Sequence, residues 1–245
     1  MRLVALGDSL SCGEGVGLRV PVERTWVGLL AAALPGAELV PLAAPGARVQ
    51  DVVRDQLPRA LAAPGGLTTV LAGLNDVARG GFDADAVAGG LHRCADALAP
   101  AGDLLLVRLH DPTAVLPLPH ALRRAVQGRV AVVNAAVDEA AARTGAAVLD
   151  LGRVPGLTAR GAWATDRLHP SATGHALVAR AAAAVLRRTG ARVRATAPPP
   201  DGAAPGTRAE CAWLVAHGLP WLARHAGSVG VPLVTTTARG LRRTA

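Results

Sequence analysis

Leu3-Val4-Ala5-Leu6-Gly7-Asp8-Ser9-Leu10 opens on a short apolar run of the kind that forms a buried strand, and the run stops abruptly in glycine and small polar residues. A parallel strand that ends this way delivers its next residues into the crevice beyond the carboxyl ends of the sheet, where open α/β folds bind ligands. Ser9 therefore stands at a nucleophile position. A serine after a strand also serves to cap the next helix or to close a turn, and the downstream segments decide between these readings.

Working outward, residues 23–34 carry Trp26, Leu29, Leu30 and Ala33 at helical spacing and end at Pro35-Gly36, which predicts a first crossover helix with Trp26 in the core. A second strand is expected over residues 38–42, followed by the turn residues Ala43-Ala44-Pro45-Gly46-Ala47. Residues 49–61 are amphipathic, with Val52, Val53 and Leu57 on one side and Asp51, Arg54 and Asp55 on the other; Pro58 should kink this helix or end it early. A third strand over 68–72 runs into Gly73-Leu74-Asn75-Asp76. Helix 83–98, strand 103–109, a long or broken helix over 119–144 and strand 146–151 continue the alternation. After a glycine-rich loop comes Asp166-Arg167-Leu168-His169-Pro170, with the proline placed where an alanine-rich helix to about residue 188 would start. The alternation predicts an α/β fold, a three-layer α/β/α sandwich of five parallel strands joined by right-handed crossovers.

At 245 residues and 51% hydrophobic, the chain suits one domain with a substantial core plus an appendage. The expected boundaries are a main domain over 1–194, a Pro/Gly-rich linker over 195–206 and a helical appendage with a tail over 207–245. The appendage places Trp213, His217, Trp221 and His225 at four-residue intervals, but Gly218 and Pro220 interrupt the helix, so two tryptophans docking on the main domain is preferred to a metal site. Residues 228–245 read as weakly ordered, with a basic tip at Arg239, Arg242 and Arg243.

The net charge of +8 comes from 26 basic residues that are all arginine and scattered, in a chain rich in Ala, Gly and Pro and lacking Lys and Tyr. That pattern suits a GC-rich coding bias better than a nucleic-acid partner, and aromatics for base stacking are scarce. Cys12, Cys94 and Cys211 are odd in number and far apart, which argues against a disulfide framework and a compact metal site; Cys12 is either a small buried filler or a pocket residue. No secretory leader or uninterrupted apolar span is read from the sequence, so the expectation is a soluble, cytoplasmic protein without a cofactor or metal.

Acyl transfer requires a hydroxyl, a base to take its proton and a carboxylate to fix the imidazole tautomer; Ser9, His169 and Asp166 supply these in the order Ser, Asp, His. Its tetrahedral intermediate requires hydrogen-bond donors, available from the backbone N–H of Ser9 and Gly46 and from the Asn75 amide. Asp76 is expected to cap a helix or orient the Asn75 loop, and His175 to pack within the following helix. His110, Asp111 and His120 flank the loop after the fourth strand and are candidates for shaping a substrate pocket.

Gly7-Asp8-Ser9-Leu10 with Ser11-Cys12-Gly13-Glu14-Gly15, Gly73-Leu74-Asn75-Asp76, and Asp166-Arg167-Leu168-His169-Pro170 with Gly174-His175 beyond it resemble the SGNH (GDSL) hydrolase family over roughly residues 1–190. The resemblance implies a flavodoxin-like sandwich with strand order 2-1-3-4-5 and a metal-free serine esterase, lipase or deacylase acting on a small-molecule ester. It implies a catalytic set of Ser9, Asp166 and His169 and an oxyanion hole of Ser9, Gly46 and Asn75. One departure is plain: many relatives have Asn-x-x-x-x-Gly in the glycine block, whereas Pro41 holds that Asn place here and Pro45 precedes Gly46. The appendage loosely resembles a tail found in some bacterial members. An acyltransferase using the same groups, and a non-catalytic module binding carbohydrate, lipid or nucleic acid, are the alternatives on this fold.

Overall fold

The computed structural model describes residues 1–15, 17–63, 66–116, 118–200 and 202–220; Trp221, His225 and residues 228–245 lie outside the described residues. The chain enters the sheet with β1 (Arg2–Gly7), in which Leu3, Val4, Ala5 and Leu6 are all buried, as a strand covered on both faces requires. β1 pairs in parallel with β2 (Glu38–Pro41) on one side and β3 (Gly66–Leu71) on the other. β4 (Asp103–Arg108) and β5 (Ala147–Asp150) extend the parallel sheet, giving the order 2-1-3-4-5. A separate antiparallel pair, Glu14–Gly15 with Leu18–Arg19, stands beside the sheet. Two residues a side leave no periodicity for a sequence reading to detect.

Gly7 ends β1 at φ +139°, and a Cβ there would fall 2.0 Å from the Leu71 carbonyl oxygen. Only glycine lets the chain leave the sheet this close to β3. It enters the single turn α1 (Ser9–Cys12), whose start is capped by Asp8: its Oδ1 accepts the Leu10 N–H at 3.0 Å.

The crossover helix α2 (Trp26–Ala33) begins later than spacing predicts, because Thr25 caps it and residues Val22–Arg24 form a tight 3-10 turn. Trp26 is buried as expected. Segment 49–61 (α3) continues past Pro58 instead of ending there. Its middle, Val52–Gln56, is wound as a π-helix, with the Leu57 N–H reaching back to the Val52 carbonyl, and this wider turn accommodates the proline ring. α4 (Leu74–Ala78) follows β3, and α5 (Ala84–Leu98) is capped by Asp83. α6 (His120–Thr144) runs unbroken. α7 (Ala172–Arg188) is capped by Ser171, so Pro170 lies before the cap rather than at the first helical position, where it bridges to Trp163. The helices form two layers, α2 packed on α7, and α5 packed on both α3 and α6.

Residues 195–200 and 202–206 have no regular structure but lie against the main body. Thr173 donates to the Pro200 carbonyl at 2.9 Å, and a Cβ on Gly161 would sit 2.1 Å from the Gly202 oxygen. α8 (Thr207–Trp213) is anchored through Glu210 to Arg160 and Arg167. Among the described residues, no helix is long and apolar enough to cross a membrane, and no group of His, Cys, Asp or Glu is placed to hold a metal. Cys12 is half-buried, Cys94 buried and Cys211 exposed, all as free thiols.

Candidate active site

The loops after β1, β2 and β3 and the loop before α7 meet beyond the carboxyl ends of the strands. Ser9, the first residue of α1, has its Oγ 2.9 Å from His169 Nε2. His169 Nδ1 lies 2.5 Å from Asp166 Oδ2, while Asp166 Oδ1 accepts the backbone N–H groups of Leu168 and His169, each at 3.0 Å. The three-residue spacing thus folds the carboxylate back under its own imidazole. Burial opposes ionisation of Asp166, but the hydrogen bond and charge of His169 and the two backbone donors outweigh it and hold the carboxyl below its usual range. Arg167, inside this turn, takes φ 58°, the one positive value outside glycine among the described residues.

Gly15 forms a wall for the imidazole, since a Cβ there would lie 2.6 Å from His169 Nδ1. Gly15, Arg19, Val20 and His175 join Ser9 and His169 around a cavity of ≈ 100 Å³. His175 accepts the Trp26 backbone N–H on Nδ1 at 3.2 Å, linking α7 to the start of α2. Accepting requires a neutral ring, and burial pushes its pKa down to about 4.

Asn75 and Gly46 lie beyond this cavity. Asn75 donates from Nδ2 to the Ala47 carbonyl at 3.1 Å and, more loosely, to Asp8 Oδ2 at 3.4 Å. Gly46 turns the chain at φ +73°, with the Ala47 N–H closing onto the Ala44 carbonyl at 3.3 Å. Neither the Ser9 nor the Gly46 backbone N–H finds an acceptor among the described residues. Asp8 is fully buried, and burial lifts its pKa to about 6 against the pull of the Leu10 N–H, His169 and Asn75.

Of the two roles open to Asp76, the structure favours a cap on a neighbouring element: its buried Oδ2 accepts the Val49 N–H at 3.0 Å, tying the Asn75 loop to the start of segment 49–61. The three candidates after β4 do not line the cavity beside Ser9. His110 is buried against Trp163 with ring centroids 4.4 Å apart, and burial pushes its pKa to about 4. Asp111 accepts from the Thr113 backbone and from Gln127, and His120 is exposed at the start of α6.

Four supporting residues escaped the sequence reading. Asp8 lies within a quoted motif, but nothing in the sequence says that it is buried. Gln56 clasps Gly7 twice, accepting its N–H at 2.8 Å and donating to its carbonyl at 2.9 Å; the signal was one polar residue among the apolar positions of segment 49–61. Arg79, whose guanidinium packs on Gly46, and Glu210, which pairs with Arg160 and Arg167, meet partners far off in sequence, which spacing does not reveal.

Five parallel strands in this order, with a serine, an imidazole and a carboxylate meeting beyond their carboxyl ends, define an α/β/α sandwich with a serine-centred site. The profile of the GDSL-like lipase/acylhydrolase family matches residues 5–177, and the chain belongs to that family. A search of curated proteins found no match. Among solved structures, a member of the lipolytic G-D-S-L family from Veillonella parvula is similar at 19% identity and TM-score 0.62, over 76% of this chain and 98% of that one. TesA is similar at 21% identity and TM-score 0.62, over 77% and 99%. Axe2, an acetylxylan esterase from Geobacillus stearothermophilus, is similar at 24% identity and TM-score 0.58, over 77% and 94%. At these identities the likeness is one of fold.

Proposed function

We propose that the protein hydrolyses carboxylic esters through an acyl-serine intermediate, with residues 1–194 carrying the chemistry. The observation that supports this most is the unbroken hydrogen-bonded run from Ser9 Oγ through both nitrogens of His169 to Asp166. Ser9 Oγ attacks the acyl carbon while His169 Nε2 takes its proton. The carbonyl oxygen, now an anion, is met by the Ser9 and Gly46 backbone N–H groups and the Asn75 amide. Collapse breaks the bond to the alcohol oxygen, to which His169 returns the proton. Water then attacks the acyl-enzyme by the same route in reverse, releasing the acid and restoring Ser9. Asp166 fixes the tautomer with Nδ1 protonated and stabilises the imidazolium.

Membership of the family supports an ester or related acyl bond as the target. The test is turnover of p-nitrophenyl acetate and butyrate by wild type and Ser9→Ala. Wild type should release p-nitrophenol, and the variant should lose roughly a thousand-fold or more in kcat. Equal rates in the two proteins would remove Ser9 from the reaction.

A further inference from the structure

We propose that Arg79 forms an anion subsite beside the oxyanion donors, so that the preferred substrates carry a carboxylate on the acyl portion; this rests on the reading of Ser9 as the acylated residue. Arg79 ends α4, four residues after Asn75. Its Nη2 lies 2.8 Å from the point where a Cβ on Gly46 would stand, so the guanidinium packs on the bare Cα of that turn. The backbone beneath it is held from α6: Arg129 Nη1 donates to the carbonyls of Val77 at 2.9 Å and Arg79 at 3.2 Å. Arg129 also rests 5.3 Å over the Phe82 ring.

Nothing in the described structure consumes this cation. Among the described residues the Arg79 guanidinium enters no hydrogen bond or ion pair, although it is half-buried. The carboxylates around it are engaged elsewhere: Asp76 by the Val49 N–H, Asp51 by the Arg48 N–H and Arg54, and Asp8 by the Leu10 N–H and Asn75. Its cationic neighbour Arg48 donates from Nη2 to the Gly80 carbonyl at 3.2 Å. By contrast, Arg160 and Arg167 in the His169 loop share Glu210, and Arg108 faces Asp138 and Asp150. A half-buried cation without a hydrogen-bonded counter-ion has lost hydration that is only partly made good at a distance: burial together with Arg48 depresses its pKa against the weaker pull of Asp51, Asp76 and Asp8. An arriving carboxylate would supply the missing partner, and the planar guanidinium fork suits a two-point contact with it.

The catalytic geometry assigns that anion to the acyl side. The leaving oxygen must face His169 Nε2, on the side of the cavity walled by Gly15 and His175. Arg79 instead lies with Gly46, past the donors that would hold the carbonyl oxygen. An anionic arm on the acyl chain therefore reaches Arg79 while the alcohol departs toward His169.

Two measurements test this. The first compares kcat/KM for mono-p-nitrophenyl glutarate and for p-nitrophenyl butyrate at low salt, with wild type, Arg79→Gln and Arg79→Lys. Wild type should favour the glutarate ester by about tenfold or more, the Gln variant should lose that ratio mainly through KM, and the Lys variant should keep part of it. A wild-type ratio near one, or a Gln variant that slows both esters equally and leaves the ratio intact, overturns the proposal. The second titrates glutarate into Ser9→Ala and into Ser9→Ala/Arg79→Gln by calorimetry. Saturable binding weakened about tenfold or more in the double variant supports the subsite, and equal or absent binding in both overturns it. Failure of wild type to cleave either ester would sink the hydrolase reading, while the glutarate titration would still decide the anion subsite.

Discussion

Asn75 directs its two amide hydrogens unequally, one to the Ala47 carbonyl at 3.1 Å and the other to Asp8 at 3.4 Å. In the proposed mechanism the longer contact is the one a substrate oxyanion replaces while the shorter keeps the side chain aimed. Asn75→Ala should therefore lower kcat by roughly 100- to 1,000-fold with little change in KM, the cost of removing one oxyanion donor; a decline of only two-fold would exclude that role. At this scale the sequence revealed residues whose chemistry is local. Asp166 and His169 sit three apart because the turn between them makes their hydrogen bond, so the spacing itself carried the geometry. Asp8 and Arg79 were illegible for the opposite reason: burial of the first and the unmet charge of the second arise where distant loops converge. Which of 26 arginines is half-buried beside Gly46 leaves no trace in composition.

Two elements control how the site is held. Glu210 on α8 takes Arg160 at 2.5 Å and Arg167 at 2.7 Å, and these two charges, Arg167 first, hold its carboxyl below the usual range. Arg167 lies between Asp166 and His169 in an unfavourable left-handed conformation, so α8 braces the loop that carries the imidazole. Glu210→Gln should lower kcat/KM by roughly tenfold, since small displacements of reacting groups are costly. A value within two-fold of wild type would show that Arg160, through its bonds to the Trp163 and Ala164 carbonyls, holds the loop without the helix. Gly7 is the second control point. Gly7→Ala forces a methyl into the Leu71 carbonyl and should destabilise the fold by more than about 3 kcal/mol, measured as a fall in the urea midpoint. An unchanged midpoint would contradict the strand exit described here. Element order and type were readable because strands and helices alternate with clear periods. Boundaries shifted where side chains overrode propensity: Thr25 delayed α2, Ser171 delayed α7, and the π-helix carried segment 49–61 past Pro58.

Across the whole molecule, two buried histidines govern the response to acid. His110 and His175 are held neutral with pKa values near 4, whereas an exposed histidine titrates near 6.5. Between those values the unfolded chain binds protons that the folded chain refuses, so stability falls as pH drops from about 6.5 to 4. Asp8 works the other way: with a folded pKa of about 6 against 3.8, it takes up its proton first in the folded state and partly offsets the loss. Below that window Asp166 adds to the loss, because its depressed pKa withdraws stability as pH falls under its unfolded value. Unfolding free energies from urea titrations at pH 7 and 4.5 should differ by on the order of a few kcal/mol, the more acidic sample having the lower midpoint. His175→Asn, which retains an acceptor for the Trp26 N–H, should narrow the gap; equal midpoints for wild type at the two pH values would contradict the neutral assignments.

The double clasp of Gln56 on Gly7 has a kinetic corollary. The β2–β1 ladder ends at Pro41 opposite Ala5; beyond it the Ala44 N–H still reaches the Gly7 carbonyl at 3.1 Å, and the Gln56 amide takes the Gly7 N–H and shares that carbonyl. The Gly7 amide should exchange its proton for deuterium at the slow rate of the central sheet, even though it sits two residues from a partly exposed serine. Solvent would then reach the Ser9 hydroxyl without loosening the main chain that aims it.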